Sequence, residues 1–175
     1  MTAPPKVYLA GPAVFRRDAD EHGERLKQLC VARDLDPLWP LDNKPAEMAP
    51  AAFALTMRKM NCDMIDRAAA VIADISPFRG PNMDPGTAFE IGYAIATNKP
   101  VLLYTDAPGK TLLDRTKASF TVRKIDARYF DADDMEVEDF GLPENLMIAT
   151  VAEPVYASFE EALDAFVKSD PGRDG

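Results

Sequence analysis

The sequence predicts an α/β fold, a doubly wound parallel sheet of about five strands with helices on both faces, and three observations carry that reading. Short β-rich runs alternate with stretches of helical apolar spacing, the pattern of strand–helix–strand units. One run, Ala70-Val71-Ile72-Ala73, is apolar without alternation, as a strand buried on both faces requires. The chain has 175 residues and 47% hydrophobic content, the size of one domain able to bury its own core. Helical connections between parallel strands imply right-handed crossovers.

Taken in order, Lys6-Val7-Tyr8-Leu9-Ala10 is a first strand stopped by Gly11-Pro12. Residues 18–33 carry apolar groups at Leu26, Leu29 and Cys30 among charges, an amphipathic helix. Residues 35–41 are a brief extended segment broken by Pro37 and Pro40, followed by a loop at Asp42-Asn43-Lys44-Pro45. A second helix over about 50–67 sets Phe53, Met57, Met60, Met64 and Ile65 on one side. The buried strand then ends at Asp74 and opens a Pro/Gly-rich loop over 76–86. A third helix runs over about 87–97, and Pro100 to Tyr104 is the next strand. Residues 106–145 are the least regular part, with Asp131-Ala132-Asp133-Asp134 a solvated acidic loop. Pro154-Val155-Tyr156 reads as a last strand. Ser158 and Glu161 open a closing helix with capping-box spacing. Residues 1–168 form the predicted domain, and 169–175 a frayed tail.

Composition narrows the chemistry. There are 29 acids against 20 bases, a net charge of −9, which argues against holding a nucleic-acid polymer by bulk charge. A small nucleoside is not excluded by it. The single histidine, His22, leaves no Ser-His-Asp triad and no multi-histidine metal site. Cys30 and Cys62 lack CxxC spacing and fit reduced thiols of a cytoplasmic protein. No apolar run has the length of a membrane span, and residues 1–6 make no signal peptide. If the chain is an enzyme, carboxylates, amides, hydroxyls and backbone groups have to carry the reaction, and no cofactor or metal is expected.

Ligands of open parallel sheets sit beyond the carboxyl ends of the strands. The polar stretches at 11–15, 42–43 and 74–90 all follow apolar runs. The densest is Asp84-Pro85-Gly86-Thr87-Ala88-Phe89-Glu90. Glu90, expected in the first turn of the third helix, is placed to attack an electrophilic sugar carbon, with Asp84 facing the same ligand. The structural alternative is a capping box, because Thr87 and Glu90 have the S/T-x-x-E spacing. Asp74 is open between a second acid of the site and a cap of the turn after its strand. Tyr8 and Phe15 are open between ligand contacts and core or edge packing. Gly109-Lys110-Thr111 lacks the first glycine of a P-loop, since position 104 is tyrosine.

Three pieces go beyond periodicity: Tyr8-Leu9-Ala10-Gly11-Pro12, Asp84 through Gly92 (D-x-GTAFEIG), and Asn145-Leu146-Met147. Together with Pro40-Leu41-Asp42-Asn43 and Ala70 to Pro81, in this order along nearly the whole chain, they resemble the nucleoside 2-deoxyribosyltransferase family. The resemblance implies a flavodoxin-like sheet and cleavage of the N-glycosidic bond of a 2′-deoxynucleoside, with a free nucleobase as acceptor and configuration retained. It makes Glu90 the nucleophile that forms a deoxyribosyl-enzyme, Tyr8 the group that positions it, and Asp84 a substrate contact that helps protonate the leaving base. Phe15 packs on the base, and Asn43 and Gly86 fall in the matching substrate-binding stretches. Asn145 binds the sugar 5′-hydroxyl and, with Met147, reaches a neighbouring subunit's site, which makes the protein a homo-oligomer with a dimer as its smallest unit. Where several members carry a proton-donating aspartate, this chain has Asn61, so the acid role passes to Asp84 or Asp74.

Two other functions remain open. One is hydrolysis of 2′-deoxynucleosides or their 5′-monophosphates, with water as acceptor. The other is a non-catalytic nucleotide-sensing module, which has no need of Glu90.

Overall fold

The computed structural model describes residues 3–169. Four parallel strands form the main sheet: β1 (Lys6–Ala10), β2 (Asp36–Leu38), β3 (Ala70–Asp74) and β4 (Val101–Tyr104), in the order β2-β1-β3-β4. The central pair is in register from Val7 opposite Ala70 to Ala10 opposite Ala73. The expected last strand is reduced to a single parallel bridge between Tyr104 and Tyr156. Pro154 just ahead of it has no N–H to donate, so the fifth strand never develops. The sheet is thus four-stranded with one bridge at its edge.

Strand alternation decides which helices lie where. Val7, Leu9, Ala70 and Ile72 face α1 (Ala19–Val31) and α6 (Phe159–Ser169), where Leu26, Cys30, Phe159, Ala162, Leu163 and Phe166 are buried with them. Tyr8, Ala10, Val71, Ala73 and Leu103 face α2 (Pro50–Arg67) and α3 (Pro85–Ala96), against Met64, Ile65, Ile91 and Ala94. One glycine is needed on the first face: a Cβ on Gly23 of α1 would lie 2.6 Å from Trp39 Nε1. Both cysteines are buried and free, as reduced thiols should be.

The stretch expected to be irregular carries regular structure. Residues 106–145 contain α4 (Leu112–Ser119) and a small antiparallel sheet of β5 (Arg123–Ile125), β6 (Arg128–Phe130) and β7 (Glu136–Val137). These strands are two or three residues long and bury no residue fully, so they leave no apolar periodicity to read. The acidic stretch at 131–134 is the turn between β6 and β7, as expected. A four-residue helix, α5 (Leu146–Ala149), follows. Glu161 N donates to Ser158 Oγ at 3.2 Å at the start of α6. Of the predicted tail, Ser169 is the last residue of α6, and 170–175 lie outside the described residues.

Among the described residues, no helix is long and apolar enough to cross a membrane, and no group of three or more His, Cys, Asp or Glu is placed to hold a metal ion.

Candidate active site

The candidate site lies on the α2/α3 side of β1. Tyr8 is mid-strand and fully buried, and its hydroxyl donates to Glu90 Oε1 at 2.6 Å. Asn61 Nδ2 on α2 donates to the same oxygen at 3.3 Å. Three elements, β1, α2 and α3, therefore converge on one carboxylate. No hydrogen bond reaches Glu90 Oε2 among the described residues. The two oxygens are thus unlike: Oε1 is anchored by two donors and Oε2 is available.

Desolvation dominates the electrostatics. Burial pushes the Glu90 carboxyl up to about 7; the bonds from Tyr8 and Asn61 pull it down, and the nearby charge of Asp84 pushes it up. The same burial, with Glu90 beside it, holds the Tyr8 phenol well above its ordinary value, so Tyr8 stays a donor throughout the working pH range. Asn61 Oδ1 is buried without a partner, an acceptor facing no donor of its own chain.

The capping alternative is corrected by the geometry. The N-cap of α3 is Asp84, whose Oδ2 accepts from Thr87 N at 2.8 Å and from Thr87 Oγ1 at 2.9 Å. Pro85 opens the helix, as its fixed φ and missing N–H suit the first position. The helix starts earlier than the Thr87 expected from spacing, which puts Glu90 in the second turn rather than the first. It is free of any capping bond and turned toward Tyr8. Asp84 Oδ1 carries no hydrogen bond among the described residues. Gly86 sits beside it, where an added Cβ would come within 3.0 Å of Asp84 Oδ2.

Asp74 is not brought to this carboxylate. It ends β3 with the parity of Ala70 and Ile72, on the α1/α6 face. Its Oδ1 accepts from Ser76 N at 2.9 Å and from the Ser76 hydroxyl, the turn-capping geometry that was the structural alternative. Burial, the largest influence, raises its pKa against those two bonds. Gly11 allows the end of β1 to pass it, since a Cβ there would stand 2.8 Å from Asp74 Cβ. A cavity of about 620 Å³ opens on this side, lined by Asp74, Ser76, Phe15, Phe78 and Tyr104 but not by Glu90.

The remaining nominated residues lie on loops. Phe15 is 58% exposed, stacked on Phe78 with centroids 5.3 Å apart, and both rings are covered by the Arg79 guanidinium. Asn43 is exposed in the loop after Leu41. Asn145 is the N-cap of α5: its Oδ1 accepts from Met147 N at 3.0 Å, and its Nδ2 donates to Glu138 Oε1 at 2.6 Å. Met147 is 72% exposed. The two are not joined to Glu90 within one chain by any hydrogen bond.

Sequence reasoning missed Phe78 and Arg79 over Phe15, and Glu138 and Glu144 around Asn145. Phe15 and Phe78 lie far apart in the chain, while Glu138 and Glu144 lie seven and one residues from Asn145; none of these pairings follows a helix or strand period.

A family model described as nucleoside 2-deoxyribosyltransferase matches residues 7–147. The structure is similar to that of a 2-desoxiribosyltransferase from Leishmania mexicana, with 36% identity, a TM-score of 0.77, and coverage of 95% of this chain and 99% of that one. A 2-deoxyribosyltransferase from Bacillus psychrosaccharolyticus shares the fold at 23% identity and TM-score 0.52, over 79% of this chain and 96% of that one. In sequence, the chain is 40% identical over 105 residues to an uncharacterised protein of Schizosaccharomyces pombe, 58% of this chain and half the length of that relative.

Proposed function

The chain belongs to the nucleoside 2-deoxyribosyltransferase family, and from that premise we propose that it moves 2-deoxyribose between nucleobases through a covalent intermediate on Glu90. The observation that carries the reading is the asymmetry of the Glu90 carboxylate. Tyr8 and Asn61 both donate to Oε1, which fixes the group and leaves Oε2 to act as nucleophile.

In the first step Oε2 bonds to C1′ of the deoxynucleoside while the C1′–N bond breaks. Its electron pair goes to the base nitrogen, which takes up a proton. Positive charge develops on the sugar in the transition state, and an ionised carboxylate beside it lowers the barrier. In the second step a free base attacks C1′ from the face the first base left, loses its N–H proton, and releases the carboxylate. Two inversions give retention.

Asp84 is assigned the proton transfer, because its Oδ1 stays outside the N-cap bonds and it opens the helix that carries Glu90. Asp74 is set aside for that role, as it faces the other side of the sheet. Asn61, an amide, anchors Oε1 and offers its unpartnered Oδ1 to an N–H of the base. Phe15 lines the cavity on the Asp74 side under the Arg79 guanidinium, so packing on a base held at Glu90 is not assigned to it.

Apolar side chains stand exposed along the segment that ends at Met147: Phe120, Ile125, Met135, Phe140 and Met147 itself. Such a surface supports a homo-oligomer in which Asn145 and Met147 complete the neighbour's site. With water as acceptor the same intermediate hydrolyses, which is the second outcome.

Incubation with 2′-deoxyinosine and adenine separates the readings. New 2′-deoxyadenosine is the expected product. Hypoxanthine without exchange would make the protein a hydrolase, and no reaction would leave the sensing module. A mass spectrum carrying the sugar on the peptide with Glu90 tests the intermediate.

A further inference from the structure

Glu144 is 1% exposed, and four donors from three separate segments meet on its carboxylate. Asn82 Nδ2 reaches Oε1 at 3.0 Å and Met83 N reaches Oε2 at 2.8 Å. The Arg115 guanidinium from α4, itself buried, reaches Oε2 at 3.1 Å. Asn145 N reaches Oε1 at 2.9 Å. Met83 immediately precedes Asp84, the N-cap of the helix that carries Glu90, and Asn145 immediately follows Glu144. One buried carboxylate thus joins the start of α3 to the residue that would complete a neighbouring site.

Stability alone accounts poorly for this arrangement. A buried ion pair costs desolvation that its attraction only partly offsets, and apolar replacements of such pairs are often neutral or stabilising. Arg115 even leaves Nε buried without a partner. What the pair supplies is geometry: four bonds to fixed donors leave Asp84 and Asn145 little freedom relative to each other.

From this we infer that Glu144, held by Arg115, is a positioning residue that sets Asp84 and Asn145 as one unit, so that a subunit's own site and the site it completes next door are aligned by the same contact. The inference rests on the roles given above to Asp84 and Asn145.

Glu144→Gln is nearly isosteric but turns a donor toward either Met83 N and Arg115 or Asn82 and Asn145 N. In the folded variant, kcat for deoxyribosyl transfer is expected to fall and KM to rise together, with kcat/KM down about 10- to 100-fold. Amide exchange at Met83 and Asn145 is expected to speed up in step. Leu163→Ala, in the core of the opposite face, is the control: it lowers Tm and leaves kcat/KM unchanged. Arg115→Met and Arg115→Lys make the same comparison if Glu144→Gln does not fold, and the lysine is expected to recover most of the methionine's loss. A folded Glu144→Gln within about twofold of the parent kcat/KM, or a Leu163→Ala that loses as much, would overturn the inference. An inactive parent protein would instead defeat the transferase reading, and unchanged exchange at Met83 and Asn145 in Glu144→Gln would still defeat the coupling.

Discussion

Removing the Tyr8 hydroxyl should move the acidic limb of the pH–rate profile upward. The Tyr8 bond to Glu90 Oε1 is 2.6 Å long and favours the ionised carboxylate, whose pKa stands at about 7 with the bond in place. A hydrogen bond to a charged group contributes about 1.5–3 kcal/mol. At 1.36 kcal/mol per pKa unit, Tyr8→Phe should raise Glu90 by roughly one to two units. Half of Glu90 is ionised at pH 7 in the parent; in the variant the fraction falls to roughly 1–10%. If ionised Oε2 is the nucleophile, kcat/KM at pH 7 drops about 5- to 50-fold. Most of that loss returns as the pH is raised beyond 9. The assay is exchange of deoxyribose from 2′-deoxyinosine to adenine, followed as kcat/KM from pH 5 to 10, because that ratio reports groups of the free enzyme. Tyr8 does not itself titrate in this window, since burial and Glu90 hold its phenol well above the ordinary value. A limb that stays in place or moves down would refute the reasoning, and a loss of rate equal at every pH would make Tyr8 a packing residue only.

Glu90→Gln should abolish transfer while making the protein more stable at pH 8, by roughly 3 kcal/mol. The folded pKa is raised above the unfolded one, so ionising Glu90 disfavours the native state; the gap between variant and parent should close as pH falls from about 7 through 4.5, read as Tm against pH. Asn61→Asp replaces a donor to Oε1 with a second carboxylate, and the acidic limb should move up by about one unit; a downward move would contradict the placement of Asn61. Mixing Glu90→Ala and Asn145→Ala subunits, each inactive alone, should restore up to about a quarter of the parent activity if the two residues act across a two-fold interface. Activity that stays at zero after subunit exchange would remove Asn145 from the neighbour's site. Gly23→Ala should lower stability by about 1–3 kcal/mol in denaturant unfolding, since its Cβ would meet the Trp39 indole at 2.6 Å.

By itself the sequence determined the layered parallel fold, because strands such as Ala70–Asp74 and helices such as Pro50–Arg67 declare themselves through local periodicity. It also singled out Glu90, Tyr8 and Asp84, through short ordered motifs whose members lie close in the chain or repeat a family pattern. What depended on contacts between distant segments was left to the tertiary structure. The T-x-x-E spacing left open whether Glu90 serves a helix cap; the folded chain gives the cap to Asp84 and sets Glu90 against Tyr8 and Asn61, 82 and 29 residues away. Asp74 stood open as a second acid of the site because it ends a buried strand at the mouth of the sheet, but strand parity sends it through the sheet to the other face. The small antiparallel sheet and the Glu144 junction left no trace in the pattern, since their bonds join backbone and side chains of short, exposed or irregular segments. Periodicity records which face of an element is buried; it cannot record which elements will share that face, and the reactivity of a carboxylate depends on the latter.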